Sequence, residues 1–203
     1  FGLLAHETRV RILEALTTTP RPERPVRFST LRERVGDVDS ARFNYHLGEL
    51  TDRFVRKIDD GYELTAAGIH VAGAILGGAY TMEGAIEPIP LDEDCPICGG
   101  QWRFRYEEGF ANFECDDCSV YIQFSVPPGT FVGADRAELT DLTERYLRTL
   151  LEELRNRLCP YCNSELAPQV FRRDAPDDED TPVSSVALVE YPCTRCDGLV
   201  TTD

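Results

Sequence analysis

The chain is almost without lysine. Lys57 is the only one, and the other 20 bases are arginine. Bases are outnumbered, 21 against 36 acids, for a formal charge of −15 at pH 7. In dilute buffer that sign opposes a polyanionic partner. An acid-rich, lysine-poor composition is also the surface of a protein that works in molar salt, as in a halophile. At about 1 M salt the Debye length is only about 3 Å, so repulsion at a distance fades and local contacts decide. Long apolar runs are missing too. The longest uncharged one, AAGIHVAGAILGGAY at 66–80, has 15 residues, short of the roughly 20 that a membrane span needs. No charged-then-apolar leader opens the chain, and a cytoplasmic location is expected. The chain starts at Phe1 rather than Met, so the native N-terminus is expected upstream. No Ser/His/Asp grouping, P-loop or G-x-G-x-x-G stretch is present, so no enzymatic activity is expected.

What is present suffices for a packed core. Apolar residues make up 42% of 203, enough for one large domain or two to three small ones. The charge divides unevenly: residues 1–90 carry 11 bases and 13 acids, residues 91–203 carry 10 and 23. The first part is spared the acidity of the second. That split predicts two modules, the first facing something negative.

Periodicity gives the first module an element order. Val10, Ile12, Leu13 and Leu16 recur at helical spacing in 6–18, and PRPERP at 20–25 ends that helix. A short strand is expected at 26–28. A short helix follows at 29–36, capped by Ser29 and stopped by Gly36. A second helix spans 39–54, capped by Asp39 or Ser40, with Phe43, Leu47 and Leu50 inward. Residues 55–64 alternate around Asp60-Gly61 as a hairpin, and a helix runs from Thr65 to Tyr80. Helix, strand, short helix, helix, hairpin, helix is the order of a winged helix-turn-helix. Its second short helix can enter a major groove.

Beyond it, EPIPLDEDC at 87–95 reads as a linker rich in proline and acid. Strands are expected at 102–115, turning at Glu108-Gly109, and at 119–126. A long helix spans 134–158 behind an Asp135/Glu138 capping box, with a stripe of Leu139, Leu142, Tyr146, Leu150, Leu154 and Leu158. A strand-rich end follows, with a solvated acidic loop at 174–182.

All eight cysteines fall into C-x-x-C pairs: Cys95/Cys98, Cys115/Cys118, Cys159/Cys162 and Cys193/Cys196. One such turn aims two thiolates at one ion, and two turns complete a tetrahedral S4 site. Strands between the pairs bring the turns together, so two zinc ribbons with two zinc ions per chain are expected. Disulfides fit less well, because C-x-x-C pairs are poor staples for long loops and nothing suggests secretion. Rubredoxin-type iron or an iron–sulfur group satisfies the same S4 geometry. The Cys-Pro-Tyr-Cys at 159–162 matches a glutaredoxin tetrapeptide, but it follows a helix and precedes a strand, the reverse of the redox context.

With the apolar stripe of 39–54 inward, Ser40, Ala41, Arg42, Asn44 and Tyr45 face solvent on the half of the helix that reaches base edges. Arg42 suits guanine and Asn44 adenine, both bidentately. Ser40 and Tyr45 suit phosphate. His46 is a candidate for packing or for a position near DNA. Arg56, Lys57 and Tyr62 on the hairpin are phosphate or minor-groove candidates. Among the other histidines, His70 is expected in a core or an interface, and His6 says little.

Residues 1–80 resemble the ArsR-like winged helix-turn-helix regulators of haloarchaea. The resemblance rests on Leu4-Ala5, Thr8-Arg9 and Ile12-Leu13, on Asn44-Tyr45-His46-Leu47, and on Gly61-Tyr62 with Leu64-Thr65. It implies a regulator that binds double-stranded DNA. The helices here contain no cysteine, unlike metal-sensing members of that family, so any effector acts elsewhere. The remainder resembles the zinc-ribbon region attached to such regulators. The expected fold class is α+β, with a winged helix-turn-helix at 1–82, a linker and first zinc ribbon at 83–133, a connecting helix at 134–158 and a second zinc ribbon at 159–203. A homodimer is expected from the apolar surface of the helices at 65–80 and 135–158 and from Gly73-x-x-x-Gly77. Two other readings stay open: a basal transcription factor resembling TFE, and a zinc or thiol redox sensor coupled to DNA binding.

Overall fold

A computed structural model describes residues 2–79, 81, 83–118, 120–174 and 185–202. It is a mixed α+β chain of two compact units. One comprises Phe1–Glu83 with Pro127–Gly129, the other Gly84–Val126 with Thr130–Asp203. Among the described residues no helix is long and apolar enough to cross a membrane.

In the first unit, helix α1 (Glu7–Thr18) starts where the Nδ1 of His6 accepts the Thr8 amide at 3.2 Å. A 3-10 turn (Arg21–Glu23) leads to strand β1 (Val26–Arg27) and helix α2 (Phe28–Val35). The strand is one residue shorter than expected, because Phe28 already opens α2, and Arg27 rather than Ser29 takes the cap position. Gly36, at φ +84°, stops α2 with a left-handed residue that favours glycine. Helix α3 (Ser40–Leu50) begins at Asp39, whose carboxylate accepts the Arg42 amide at 2.9 Å. Strands β2 (Val55–Ile58) and β3 (Gly61–Leu64) follow, then helix α4 (Ala66–Leu76), which ends four residues before Tyr80.

These elements close on one core of Ile12, Leu13, Leu16, Val26, Leu31, Val35, Phe43, Leu47, Leu50 and Val55. It contains the stripes that periodicity selects on α1 and α3, apart from Val10, and Leu31 and Val35 of α2. The sheet order is β1-β3-β2, all antiparallel. The hairpin register pairs Ile58 with Gly61, so Asp59-Asp60 forms the turn rather than Asp60-Gly61. Gly61 is buried instead, where a Cβ would lie 2.8 Å from the Cβ of Pro25. Its glycine serves a close approach, not the turn. His70 lies exposed on α4, not in the core.

The second unit opens with a strand where the sequence reads as a linker. Strand β4 (Ala85–Asp94) pairs antiparallel with β5 (Gln101–Glu107). Its prolines are tolerated because β4 is an edge strand with register shifts between Ile86 and Ile89 and between Pro90 and Asp94. Ile86, Ile89 and Leu91 pack on the core and outweigh the linker-like composition. Strands β6 (Phe110–Cys115) and β7 (Tyr121–Ser125) complete the order β4-β5-β6-β7. Glu108 and Gly109, both at positive φ, make the expected two-residue turn. Phe104, Tyr106, Ala111 and Val126 fill the inner face, and the Tyr106 hydroxyl donates to the Val126 carbonyl at 2.8 Å.

Helix α5 (Leu139–Arg155) follows a 3-10 turn (Arg136–Glu138) that carries the expected Asp135/Glu138 capping box. Leu139 and Tyr146 join the core of the β4–β7 sheet. Leu151 and Leu154 join a second core with Cys159, Leu166 and Cys193. Leu158 falls beyond the helix and is exposed. The last sheet has the order β10-β9-β8, from β8 (Gln169–Asp174), β9 (Ser185–Pro192) and β10 (Leu199–Thr202). The acidic loop expected at 174–182 lies, beyond Asp174, outside the described residues.

Candidate metal centres and candidate nucleic-acid interface

Each C-x-x-C pair sits on the same backbone device. The amide of the first cysteine donates to the carbonyl five residues on: Cys95 to Gly100, Cys115 to Val120, Cys159 to Ser164 and Cys193 to Gly198, at 2.8, 3.3, 2.8 and 2.8 Å. The residue four after the first cysteine turns left-handed at Gly99, Asn163 and Asp197. Both thiols of a pair thereby point out of one tight turn. Amides reach the sulfurs as well, Asp117 to Cys115 and Arg195 to Cys193, each at 3.3 Å. Such N–H donors stabilise thiolate.

The two sheets bring the turns together in fours. Cys95, Cys98, Cys115 and Cys118 form one cluster and Cys159, Cys162, Cys193 and Cys196 the other, all sulfurs within 4.8 Å of one another. The closest cross-pairs are Cys95–Cys118 at 3.7, Cys98–Cys115 at 3.5, Cys159–Cys196 at 3.6 and Cys162–Cys193 at 3.5 Å. A tetrahedral S4 site with metal–sulfur bonds near 2.3 Å sets its sulfurs about 3.8 Å apart. A disulfide needs about 2.05 Å, and all eight are free cysteines. The donor set and its spacing fit one soft or borderline cation per cluster and are consistent with two zinc sites.

The thiols feel each other strongly. Burial acts to raise Cys95, but the Cys98 and Ile97 amides and the facing sulfurs outweigh it and bring it to about 7. At Cys98 the Gly100 amide acts to lower the thiol, yet the Cys115 and Cys118 sulfurs and burial push it up to about 12. In the second cluster, hydrogen bonds from Ser164 and Cys196 lower Cys162 to about 6. Cys196 rises to about 12, as neighbouring sulfurs and burial overcome the Gly198 amide. Four thiolates held this close need a cation to be charged together.

In the first unit, α3 leaves Ser40, Ala41, Arg42 and Asn44 exposed, with Tyr45 59% exposed. Among the described residues no carboxylate pairs with Arg42 or Lys57. Arg56, also exposed, is bound to Glu63 across the hairpin at 2.5 Å. Tyr62 is half-buried against the core, 6.5 Å from the Phe28 ring. His46, a candidate for packing or for a position near DNA, is packed: it is 6% exposed, and its Nδ1 accepts from Arg9.

The sequence reading counts Arg9 in the resemblance but gives it no role of its own, because arginine is ordinarily a surface residue. The available signal is its phase. Arg9 lies three, four and seven residues before Ile12, Leu13 and Leu16, on the buried stripe of α1.

Residues 1–75 match a family model described as Domain of unknown function (DUF7347). Residues 92–203 match a second, Domain of unknown function (DUF7351). No curated protein and no solved structure matches the chain. The second match spans more than half of the 203 residues and takes in both tetracysteine clusters, so the chain belongs to the DUF7351 family.

Proposed function

We propose that this protein is a sequence-specific DNA-binding transcriptional regulator of the ArsR-like type. In this reading the first unit is a winged helix-turn-helix and the two clusters are structural zinc ribbons. The observation that carries it is the presentation of α3. Its apolar side, Phe43, Leu47 and Leu50, is buried, while Arg42, Asn44 and Tyr45 stand exposed at its N-terminal half. That half reaches base edges when a helix lies in a major groove. The β2–β3 hairpin serves as the wing, with Lys57 at a phosphate.

The clusters take a supporting role. A cation held by four cysteines has no open coordination position, so it folds its module rather than activating water. The chain is accordingly read as having no catalytic activity. The dimer of this reading uses α4, where Ile69 is 57% and Leu76 45% exposed on a stretch without charge. Helix α5, expected to share that task, spends Leu139 and Leu154 on cores of its own unit.

The test is an electrophoretic binding assay on pooled genomic fragments in molar KCl. A reproducible subset of retained fragments is expected. Retention without sequence preference, combined with copurification of RNA polymerase, would instead favour the basal-factor reading.

A further inference from the structure

We propose that Arg9 is a positioning residue for the DNA-reading face of α3, and that acid releases its hold through His46; this rests on the DNA-binding reading above. Arg9 is 8% exposed and uses all three of its guanidinium nitrogens. Its Nε donates to His46 Nδ1 at 3.3 Å, and its Nη2 to Glu49 Oε2 at 3.3 Å. Its Nη1 reaches the carbonyls of Gly2 and Leu3 at 3.4 and 3.3 Å. Its guanidinium carbon lies 5.9 Å from the centre of the Tyr45 ring. One side chain on α1 therefore grips three positions of α3, Tyr45, His46 and Glu49, and the segment before α1. Two of those positions, Tyr45 and His46, follow Asn44 directly. A planar fork can make this set of contacts, and a point-charge ammonium cannot.

The hold depends on the protonation of His46. To accept from Arg9, Nδ1 must be bare, so the neutral ring carries its hydrogen on Nε2. A second proton would sit on Nδ1, facing a permanent cation. All but one of the groups around the ring act in the same direction. Burial opposes the charged form most, and His6, with its ring centroid 3.9 Å away, Arg9 and Arg42 add to it; Glu49 alone favours charge. His46 is thereby held below its ordinary 6.5. A depressed value means that the gripped state is favoured in full above about 6.5. That preference is lost as pH falls from there through the lowered value. Released, α3 loses its tie to α1 at the residues next to Asn44.

Two readouts on the full, metal-loaded chain in molar KCl test this. Two-bond 1H–15N spectra should show His46 as the Nε2–H tautomer at neutral pH, taking up its second proton below 6.5. A ring protonated on Nδ1 at neutral pH, or titrating at or above 6.5, would overturn the proposal. Binding to the best-retained genomic fragment is then compared between wild type and His46→Asn, whose side-chain oxygen keeps an acceptor near the Nδ1 position and does not titrate. The ratio of their affinities should be flat above about pH 6.5 and move against wild type by up to about tenfold at pH 5.5. Identical profiles would also overturn it. Arg9→Lys should weaken binding at every pH and erase the tautomer preference. If no fragment binds at any pH, the DNA reading fails, while the tautomer measurement still decides whether Arg9 holds His46.

Discussion

Cys162 and Cys193, 31 residues apart in the chain, hold their sulfurs 3.5 Å from each other. The helix before and the strands between bring them there, and nothing covalent links them. If a cation completes that contact, the chain carries two metal ions, and elemental analysis should find two zinc per chain. Cys159→Ser should reduce this to one. It should loosen the core of Leu154, Leu166 and Cys193 while leaving the first cluster loaded. Because binding of structural zinc contributes folding free energy, on the order of 10 kcal/mol per site, a strong chelator should unfold both modules. A metal-free protein with native dispersion in its spectra would refute this.

Gly61 should tolerate no side chain. In Gly61→Ala the new Cβ would meet Pro25 at 2.8 Å, with the Pro25 carbonyl at 2.9 Å. Overpacking of this kind costs about 1–3 kcal/mol. Denaturant midpoints of the first unit should fall accordingly. Asp60→Ala, at an exposed turn position, should change them by no more than about 0.5 kcal/mol.

Arg42 and Arg56 should separate in a binding assay. Arg42→Ala should cost about 1–3 kcal/mol and relax preference at one base position. Arg56 already has Glu63 as a partner, so Arg56→Ala should weaken binding less and equally for all sequences. Equal, sequence-independent losses from both would leave α3 without a reading role.

Most of the first unit is legible because its helices share a single core and each shows it one stripe. Phe43, Leu47 and Leu50 declare α3 by spacing alone. The cysteines are legible for a related reason. Half of each ligand set is local, and four pairs leave only the pairing of pairs to the fold. Three features escape. Glycine at position 61 carries two possible meanings, a turn or a close approach, and sequence cannot say which. Prolines 88 and 90 exclude a central strand but not an edge strand, so β4 reads as linker. Arg9 and His46 are 37 residues apart, and their bond leaves no periodic trace beyond the phase of Arg9.

Strand β4 has a practical consequence for dissecting the molecule. The DUF7351 match begins at residue 92, within a strand that runs from Ala85 to Asp94. A fragment cut at that boundary would discard Ile86, Ile89 and Leu91 and strip β5 of its neighbour on one side, opening Phe104 and Tyr106 to water. The new edge, β5, lacks the prolines of β4, and beside a bared aromatic face it favours association between fragments. A fragment starting at Gly84 keeps the strand and should stay dispersed in gel filtration, whereas one starting at Asp92 should elute in aggregates. Family boundaries drawn by sequence similarity and cutting sites chosen for expression therefore part company here by eight residues, from 84 to 92.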